Sequence, residues 1–343
     1  MDVINPELVW IEGICYRINN CHEVPRHEEY HNYAEQDDCM NEDDDQEDDL
    51  VLTKCANGRI RTAVHIPQSF FGYIIGAKGT TRKRIENETK TDIKIPPRGQ
   101  SGDIIVTGGV EKCVSAAARR IKTIVAAARL KQRPTHFLSI PMNSEVIKHN
   151  FSKFKEEILN SNPGIDQSVF IQPEKLHITL LMLHLADNEE RLIAKNLLED
   201  AKVKIIDSVL DGSSLKIKVK GVAYMNDDPK TVHVLYAKLT EVEDSSCGIL
   251  TKLTNELNNV YSKSGLLTGN FDNVKLHITL MNSRYGVTED DEEAKRKAFD
   301  ASNVLNEYSD FEFGETVANN IHLSQIATKG PDGYYQSTTV IPI

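Results

Sequence analysis

No stretch of the chain is long and apolar enough to cross a bilayer, and nothing near its first residues joins a basic flank to an apolar run. A membrane anchor and a secretory leader are both excluded by that reading, and a soluble intracellular protein is expected, with no membrane partner. Cysteine is sparse as well. The six thiols, Cys15, Cys21, Cys39, Cys55, Cys113 and Cys247, are scattered without one C-x-x-C pair. That spacing argues against a disulfide framework and against a structural zinc site, so reduced thiols are expected.

Positive charge is also scarce, except in one place. The net charge is −11, but residues 58–133 carry 16 basic and 5 acidic side chains, a balance of +11. Residues 1–57 stand at −13 and residues 134–343 at −9. Only the middle segment has the electrostatics of a polyanion binder. A length of 343 residues with 40% apolar side chains suits two or three cores. The divisions expected are an N-terminal segment with an acidic linker (1–57), a nucleic-acid-binding domain (58–133) and a larger domain (134–343). Within the first, the runs around Trp10 and Tyr16 are short enough for a small hairpin and too short to hold a core. The run from Glu35 to Asp49 reads as a solvated, disordered linker, because like charges repel. A docking peptide centred on Trp10 is the alternative.

Between Ile60 and Leu130 the pattern spells a strand (60–66), a short helix (69–75), the loop Gly76-Ala77-Lys78-Gly79, a second helix (80–88), strands 92–95 and 103–107, and a long helix (110–130). This βααββα order with a glycine-bracketed loop between two helices resembles a type I KH domain. The resemblance implies that the loop closes on the backbone of about four single-stranded nucleotides. Glycines let two helix ends and a sugar-phosphate backbone approach, and Lys78 adds a positive charge there. Arg82 and Lys83 join Gly76, Ala77, Lys78 and Gly79 as candidate nucleic-acid contacts, although Arg82 stands where the family usually carries an aliphatic core residue. The cluster Arg82-Lys83-Arg84 mimics a nuclear import signal, but its place inside a helix favours a solvated face.

The larger domain is organised by a duplication. Lys175-Leu176-His177-Ile178-Thr179-Leu180 returns unchanged as Lys275-Leu276-His277-Ile278-Thr279-Leu280, 100 positions later. Both copies alternate, with Leu and Ile on one side and His and Thr on the other, as half-buried strands do. Around them the pattern gives a strand (137–140), helices 144–159 and 188–209, the latter capped by Asp187, a hairpin of strands 215–225 and 232–239, helices 247–262 and 290–308, and strands 320–326 and 335–341. An α+β domain of two pseudo-symmetric lobes is expected.

Paired H-x-[ST] strands in related halves resemble the 2H phosphoesterase superfamily, which includes cyclic phosphodiesterases, RNA-end-processing enzymes and 2′-5′ RNA ligase-like proteins. The resemblance implies that His177, Thr179, His277 and Thr279 form a catalytic group across a groove. In-line attack on a phosphodiester needs a base for the incoming hydroxyl and an acid for the leaving oxygen, and imidazole serves either role near neutral pH. Threonine hydroxyls can donate to the non-bridging oxygens. The repeat holds no carboxylate or third histidine, so neither metal nor cofactor is expected. A pair of core histidines is the bland alternative. Duplication weighs against it, since packing tolerates many residue types and acid–base chemistry does not. His322 lacks the Lys-Leu lead and is left outside the site, while Tyr334 and Tyr335 are candidates for lining the groove.

A KH domain followed by a 2H domain behind a short N-terminal segment resembles subunits of a nuclear transcription-coactivator complex. The resemblance implies a helicase among the partners and roles in coactivation and alkylation-damage repair. The function expected is therefore a nuclear protein that binds single-stranded RNA, or DNA, and acts on or holds a phosphate-bearing end. A non-catalytic KH adaptor is the alternative. Whether the substrate is a linear 3′ end, a 2′,3′-cyclic phosphate or a 2′-5′ bond stays open at this level.

Overall fold

A computed structural model of the chain describes residues 8–11, 14–17, 50–241, 248–269, 275–286 and 297–343. Residues 1–44 make a unit of their own, within which β1 (Leu8–Ile11) and β2 (Ile14–Arg17) pair as the expected small hairpin, from Leu8↔Arg17 to Ile11↔Ile14. The acidic run Glu35–Asp49 lies outside the described residues. Among those described, no helix is long and apolar enough to cross a membrane.

The KH domain follows the order read from the sequence: β4 (Ile60–Val64), α1 (Phe71–Ile75), α2 (Thr80–Thr89), β5 (Thr91–Lys94), β6 (Ile104–Gly108) and α3 (Glu111–Arg129). A strand ahead of them was not expected. This strand, β3 (Thr53–Lys54), pairs with Arg61 and Ile60, and the Val51 carbonyl accepts the Thr62 hydroxyl at 3.1 Å. Leu50 and Leu52 pack on the domain's core. Residues 50–57, assigned above to the N-terminal segment, are thus joined to a sheet of order β3-β4-β6-β5. Helix α3 covers that sheet because Val114, Ala117, Ala118, Ile121, Val125 and Ala128 recur every three or four residues and are all buried.

The larger domain has its own core and one continuous sheet. Its elements are β7 (His136–Pro141), α4 (Glu145–Ser161), β8 (His177–Leu183), α5 (Asn188–Ala201), α6 (Asp207–Leu210), β9 (Leu215–Tyr224), β10 (Val234–Glu241), α7 (Ile249–Ser264), β11 (Ile278–Asn282), α8 (Ser302–Tyr308), β12 (Glu312–Ala318), β13 (Asn320–Gln325) and β14 (Ser337–Pro342). Strands run in the order β12-β9-β10-β11-β8-β7-β13-β14. The two expected lobes are the halves of this sheet. Both signature strands are central, and they pair with each other at a single position, Ile178↔Ile278. Ile178 and Leu180 sink into the core beside Ile278 and Leu280, and the His and Thr positions keep the opposite, half-buried face.

Three local expectations change. The helix placed at 188–209, capped as expected by the Asp187 carboxylate on Glu190 N–H at 2.9 Å, widens to a π-turn over Lys202–Ile206. The helix placed at 290–308 begins only at Ser302, because Phe299 is held in an extended bridge by Val232 with N···O distances of 2.9 and 3.0 Å. Residues 287–296 of that span lie outside the described residues. Strand β12 was missed: its alternation is broken at Gly314, where φ is +118° and an added Cβ would sit 2.8 Å from Val146.

The two domains are clamped together. Arg129, the last residue of α3, is only 2% exposed, donates bidentately to Glu190 on α5 and to the His184 carbonyl, and lies 4.6 Å over the Phe70 ring. Beside it, Nε2 of His65 meets Asp187 at 2.9 Å, and Nδ1 faces Glu189 at 3.2 Å and Asp103 at 3.3 Å. Burial alone would lower the pKa of this imidazole. The three carboxylates, Asp187 foremost, raise it instead.

Breaking the buried pair strands a charge. Arg129→Ala or Glu190→Ala should cost about 3–5 kcal/mol in urea unfolding, and Arg129→Met with Glu190→Leu should recover most of it. Cutting the exposed Lys204–Asp200 pair, 3.1 Å apart, should cost under about 1 kcal/mol. Equal losses from both pairs would contradict this reading of the clamp.

Candidate functional site

The KH loop owes its shape to local sterics. Gly76 has φ +68°, and a Cβ there would fall 2.2 Å from Thr81 Oγ1 and 2.9 Å from its backbone nitrogen, so only glycine fits. Gly79 has φ +79° with open space around it, and Lys78 is left-handed at φ 52°. Between the glycines, the side chains of Ala77 and Lys78 are exposed, as is Lys83. Arg82 differs. It is half-buried, with Nε 3.6 Å from Glu86, whose carboxylate also accepts Ile93 N–H at 3.0 Å. Ile85 takes the core position instead. Arg82 is therefore tied to its own helix, while Lys78 and Lys83 are the cations presented outward.

In the larger domain the duplicated segments repeat their contacts as well as their sequence. The Nδ1–H of His177 donates to the Lys175 carbonyl at 2.6 Å, and the Nδ1–H of His277 to the Lys275 carbonyl at 2.6 Å. Each bond selects the same tautomer and leaves Nε2 as the acceptor. The ammonium groups repeat too: Lys175 Nζ lies 4.9 Å over Tyr335, and Lys275 Nζ 4.9 Å over Tyr236. Carrying the Ile178↔Ile278 register one residue each way sets His177 across from Thr279 and Thr179 across from His277. The four candidates thus share one face of the sheet.

Their surroundings are not duplicated. The ring of His177 touches Phe137 at 5.0 Å and Tyr335 at 5.4 Å, with Tyr334 at 6.3 Å, whereas Tyr236 at 5.1 Å stands beside His277. Burial accordingly pushes the His177 pKa down to about 4, against the opposing pull of the Lys175 carbonyl and with a further lowering from nearby His277. The His277 pKa is lowered too, first by burial and then by Lys275, against its own carbonyl partner. Both shifts favour the neutral ring at pH 7. Thr279 Oγ1 approaches His277 Nε2 at 3.4 Å.

Tyr335 is half-buried, edge-on to His177 at 5.4 Å. Tyr334, expected to line the groove, does not: it is 1% exposed, and its hydroxyl is spent on Ser139 Oγ at 2.9 Å. His322 lies one step behind, edge-on to Tyr334 at 5.4 Å, with Nδ1 2.9 Å from Ser337 Oγ. Phe137, Tyr236, Lys175 and Lys275 were not named as site residues from the sequence. The two lysines stand inside the repeat, which was the signal available for them, while Phe137 and Tyr236 become neighbours only through strand pairing.

Residues 134–343 match the family model described as AKAP7 2′5′ RNA ligase-like domain, and residues 61–123 match the KH domain model. The chain is 34% identical over 354 aligned positions to activating signal cointegrator 1 complex subunit 1 of Mus musculus, covering 98% of each. It is 24% identical to an uncharacterized protein of Schizosaccharomyces pombe, over 60% of this chain and 95% of that one. A solved structure from Thermus thermophilus is 16% identical, covering 61% of this chain and 97% of its own, with a TM-score of 0.39.

Two measurements follow from this geometry. Ala77→Asp with Lys78→Asp puts negative charge on exposed positions, so the fold should persist while oligonucleotide affinity, read by fluorescence anisotropy, falls by about 1–3 kcal/mol. Gly76→Ala should instead destabilise the domain by more than about 1 kcal/mol. For the histidine pair, kcat/KM on a short phosphodiester reports free-enzyme ionisations. Both rings titrate below 6.5 in the fold, with His177 near 4, so a base–acid pair built from them should peak on the acid side of pH 6.5. An optimum above pH 7.5 would contradict the assignment.

Proposed function

We propose, from the premise that this chain belongs to the family of activating signal cointegrator 1 complex subunit 1, with a KH domain ahead of a 2H phosphoesterase-like domain, that it cleaves phosphodiesters at the ends of single-stranded nucleic acid. The observation that carries the reading is the repeated bond from each His Nδ1–H to a lysine carbonyl two residues back, 2.6 Å in both copies. A packing histidine needs no such duplicate. Two imidazoles presenting Nε2 from adjoining strands are what acid–base cleavage requires. His177, the more enclosed by aromatic rings, serves as base and takes a proton from the attacking water or ribose hydroxyl at Nε2. His277, protonated as the anionic phosphate enters, returns a proton to the leaving oxygen. Thr179 and Thr279 donate to the non-bridging oxygens where charge accumulates. No step needs a metal.

RNA is the expected ligand of the KH loop, through Lys78 and Lys83. On the same reading the protein works in the nucleus, as a subunit of a coactivator complex that includes a helicase and serves alkylation-damage repair. The relative's name supports the complex, and the helicase, the nucleus and the repair role rest on resemblance alone.

The test is product analysis with end-labelled single-stranded RNA and DNA bearing a 3′-hydroxyl, a 2′,3′-cyclic phosphate or a 2′-5′ linkage, with chelator present. His177→Ala and His277→Ala should each lower turnover by about 10²–10⁴-fold, and His177→Ala, which opens space beside Phe137 and Tyr335, should also lower the melting temperature more than His277→Ala does. Full activity in either variant, or its loss to chelator, would rule out the mechanism. Binding without turnover of any substrate would leave the protein an adaptor.

A further inference from the structure

Two charged contacts join the domains, and only one of them depends on a proton. The Arg129 guanidinium keeps its charge at any working pH. His65 does not. It follows β4 of the KH domain and is half-buried, and carboxylates face both nitrogens of its ring: Asp187 at 2.9 Å from Nε2, with Glu189 at 3.2 Å and Asp103 at 3.3 Å from Nδ1. Asp103 leads into β6 of the KH domain, whereas Asp187 and Glu189 are the cap and first turn of α5 in the large domain. Among the described residues, no lysine or arginine pairs with any of the three. The other Asp187 oxygen, Oδ1, accepts Glu190 N–H at 2.9 Å. One carboxylate therefore serves both the ring and the helix that carries the partner of Arg129.

A neutral imidazole has one N–H. It can satisfy carboxylates on one side and must turn a lone pair toward those on the other, whereas the imidazolium donates on both sides. Once the proton leaves, three negative charges gather around an uncharged ring. We propose that His65 is a proton-operated latch between the domains: charged, it draws the start of α5 onto the KH domain, and neutral, it leaves the KH domain held at Arg129 and able to pivot there. The direction of the switch follows from the balance of effects on the ring. Burial acts to lower its pKa, but Asp187, then Glu189 and Asp103, outweigh burial and raise it above 6.5. A group raised by docking stabilises the docked form fully below its undocked pKa and loses that contribution as pH climbs through the docked one. The latch is therefore closed on the acid side of pH 6.5 and opens as pH rises past the docked value.

Two measurements on the full chain test the latch without reference to turnover. Nuclear magnetic resonance of ¹⁵N-labelled histidine reads the His65 pKa directly. Hydrogen exchange at Ala186 and Glu190, corrected for intrinsic rates, reads the start of α5, since these amides donate to Glu190 Oε2 and Asp187 Oδ1 at 2.8 and 2.9 Å. His65 should titrate above 6.5, and protection of both amides should fall as pH passes its pKa. The fall should be about tenfold for each unit by which the wild-type pKa exceeds that of Asp187→Asn with Glu189→Gln. Asparagine retains the cap on Glu190, so that variant removes charge without unwinding α5. His65→Gln should abolish the pH dependence of protection. If that variant fails to fold, Glu189→Gln, on a side chain 58% exposed, must still lower the His65 pKa. A wild-type His65 pKa at or below 6.5, or the same pH dependence of protection in folded His65→Gln as in wild type, would overturn the latch, as would a His65 pKa unmoved by Glu189→Gln.

Discussion

One antiparallel pair, Ile178↔Ile278, decides the arrangement of the duplicated histidines and threonines. It is the seam where two halves of the large domain become one eight-stranded sheet, and a slip of one residue there would turn every histidine and threonine into the core. The two isoleucines are buried with Leu180 and Leu280, so their transfer from water pins the register, at roughly 1.5–3 kcal/mol for each side chain. The polar face then has no freedom. The two histidines and two threonines share that face because the isoleucines have no other place to go.

Fixed rings are worth little without a fixed protonation state. The carbonyls of Lys175 and Lys275 supply it by accepting Nδ1–H, and burial supplies the rest by favouring the neutral form. On the proposed mechanism, that neutrality requires the acid to be protonated as the anion arrives. The ammonium groups of Lys175 and Lys275 stand over Tyr335 and Tyr236, the rings that flank the pair.

The clamp at Arg129 joins that chemistry to the KH domain. The guanidinium ties the end of α3 to Glu190 and to the carbonyl of His184, immediately beyond the strand that carries His177, while Phe70 beneath it begins the segment leading to Gly76. Short, rigid elements therefore connect the glycine loop to the first histidine. A buried bidentate pair adds little net stability over apolar packing, but it is intolerant of misplacement. Its effect is to specify how the KH domain sits.

Much of this was legible in the residues alone. The βααββα order, the glycine loop and the identical Lys-Leu-His-Ile-Thr-Leu segments are local patterns, set by periodicity and by the steric demands of Gly76, and they name both the fold class and the four polar candidates. What periodicity cannot carry is which strands become neighbours. That Tyr334 is buried on Ser139 while Tyr335 packs edge-on to His177, that Phe299 is bridged to Val232 where a helix was expected, and that Tyr236 and Phe137 flank the histidines all depend on pairings between residues distant in the chain. The same holds for the asymmetry of the site: two identical hexapeptides determine two identical sets of local bonds, and tertiary packing sets Phe137 and Tyr335 beside His177 and Tyr236 beside His277.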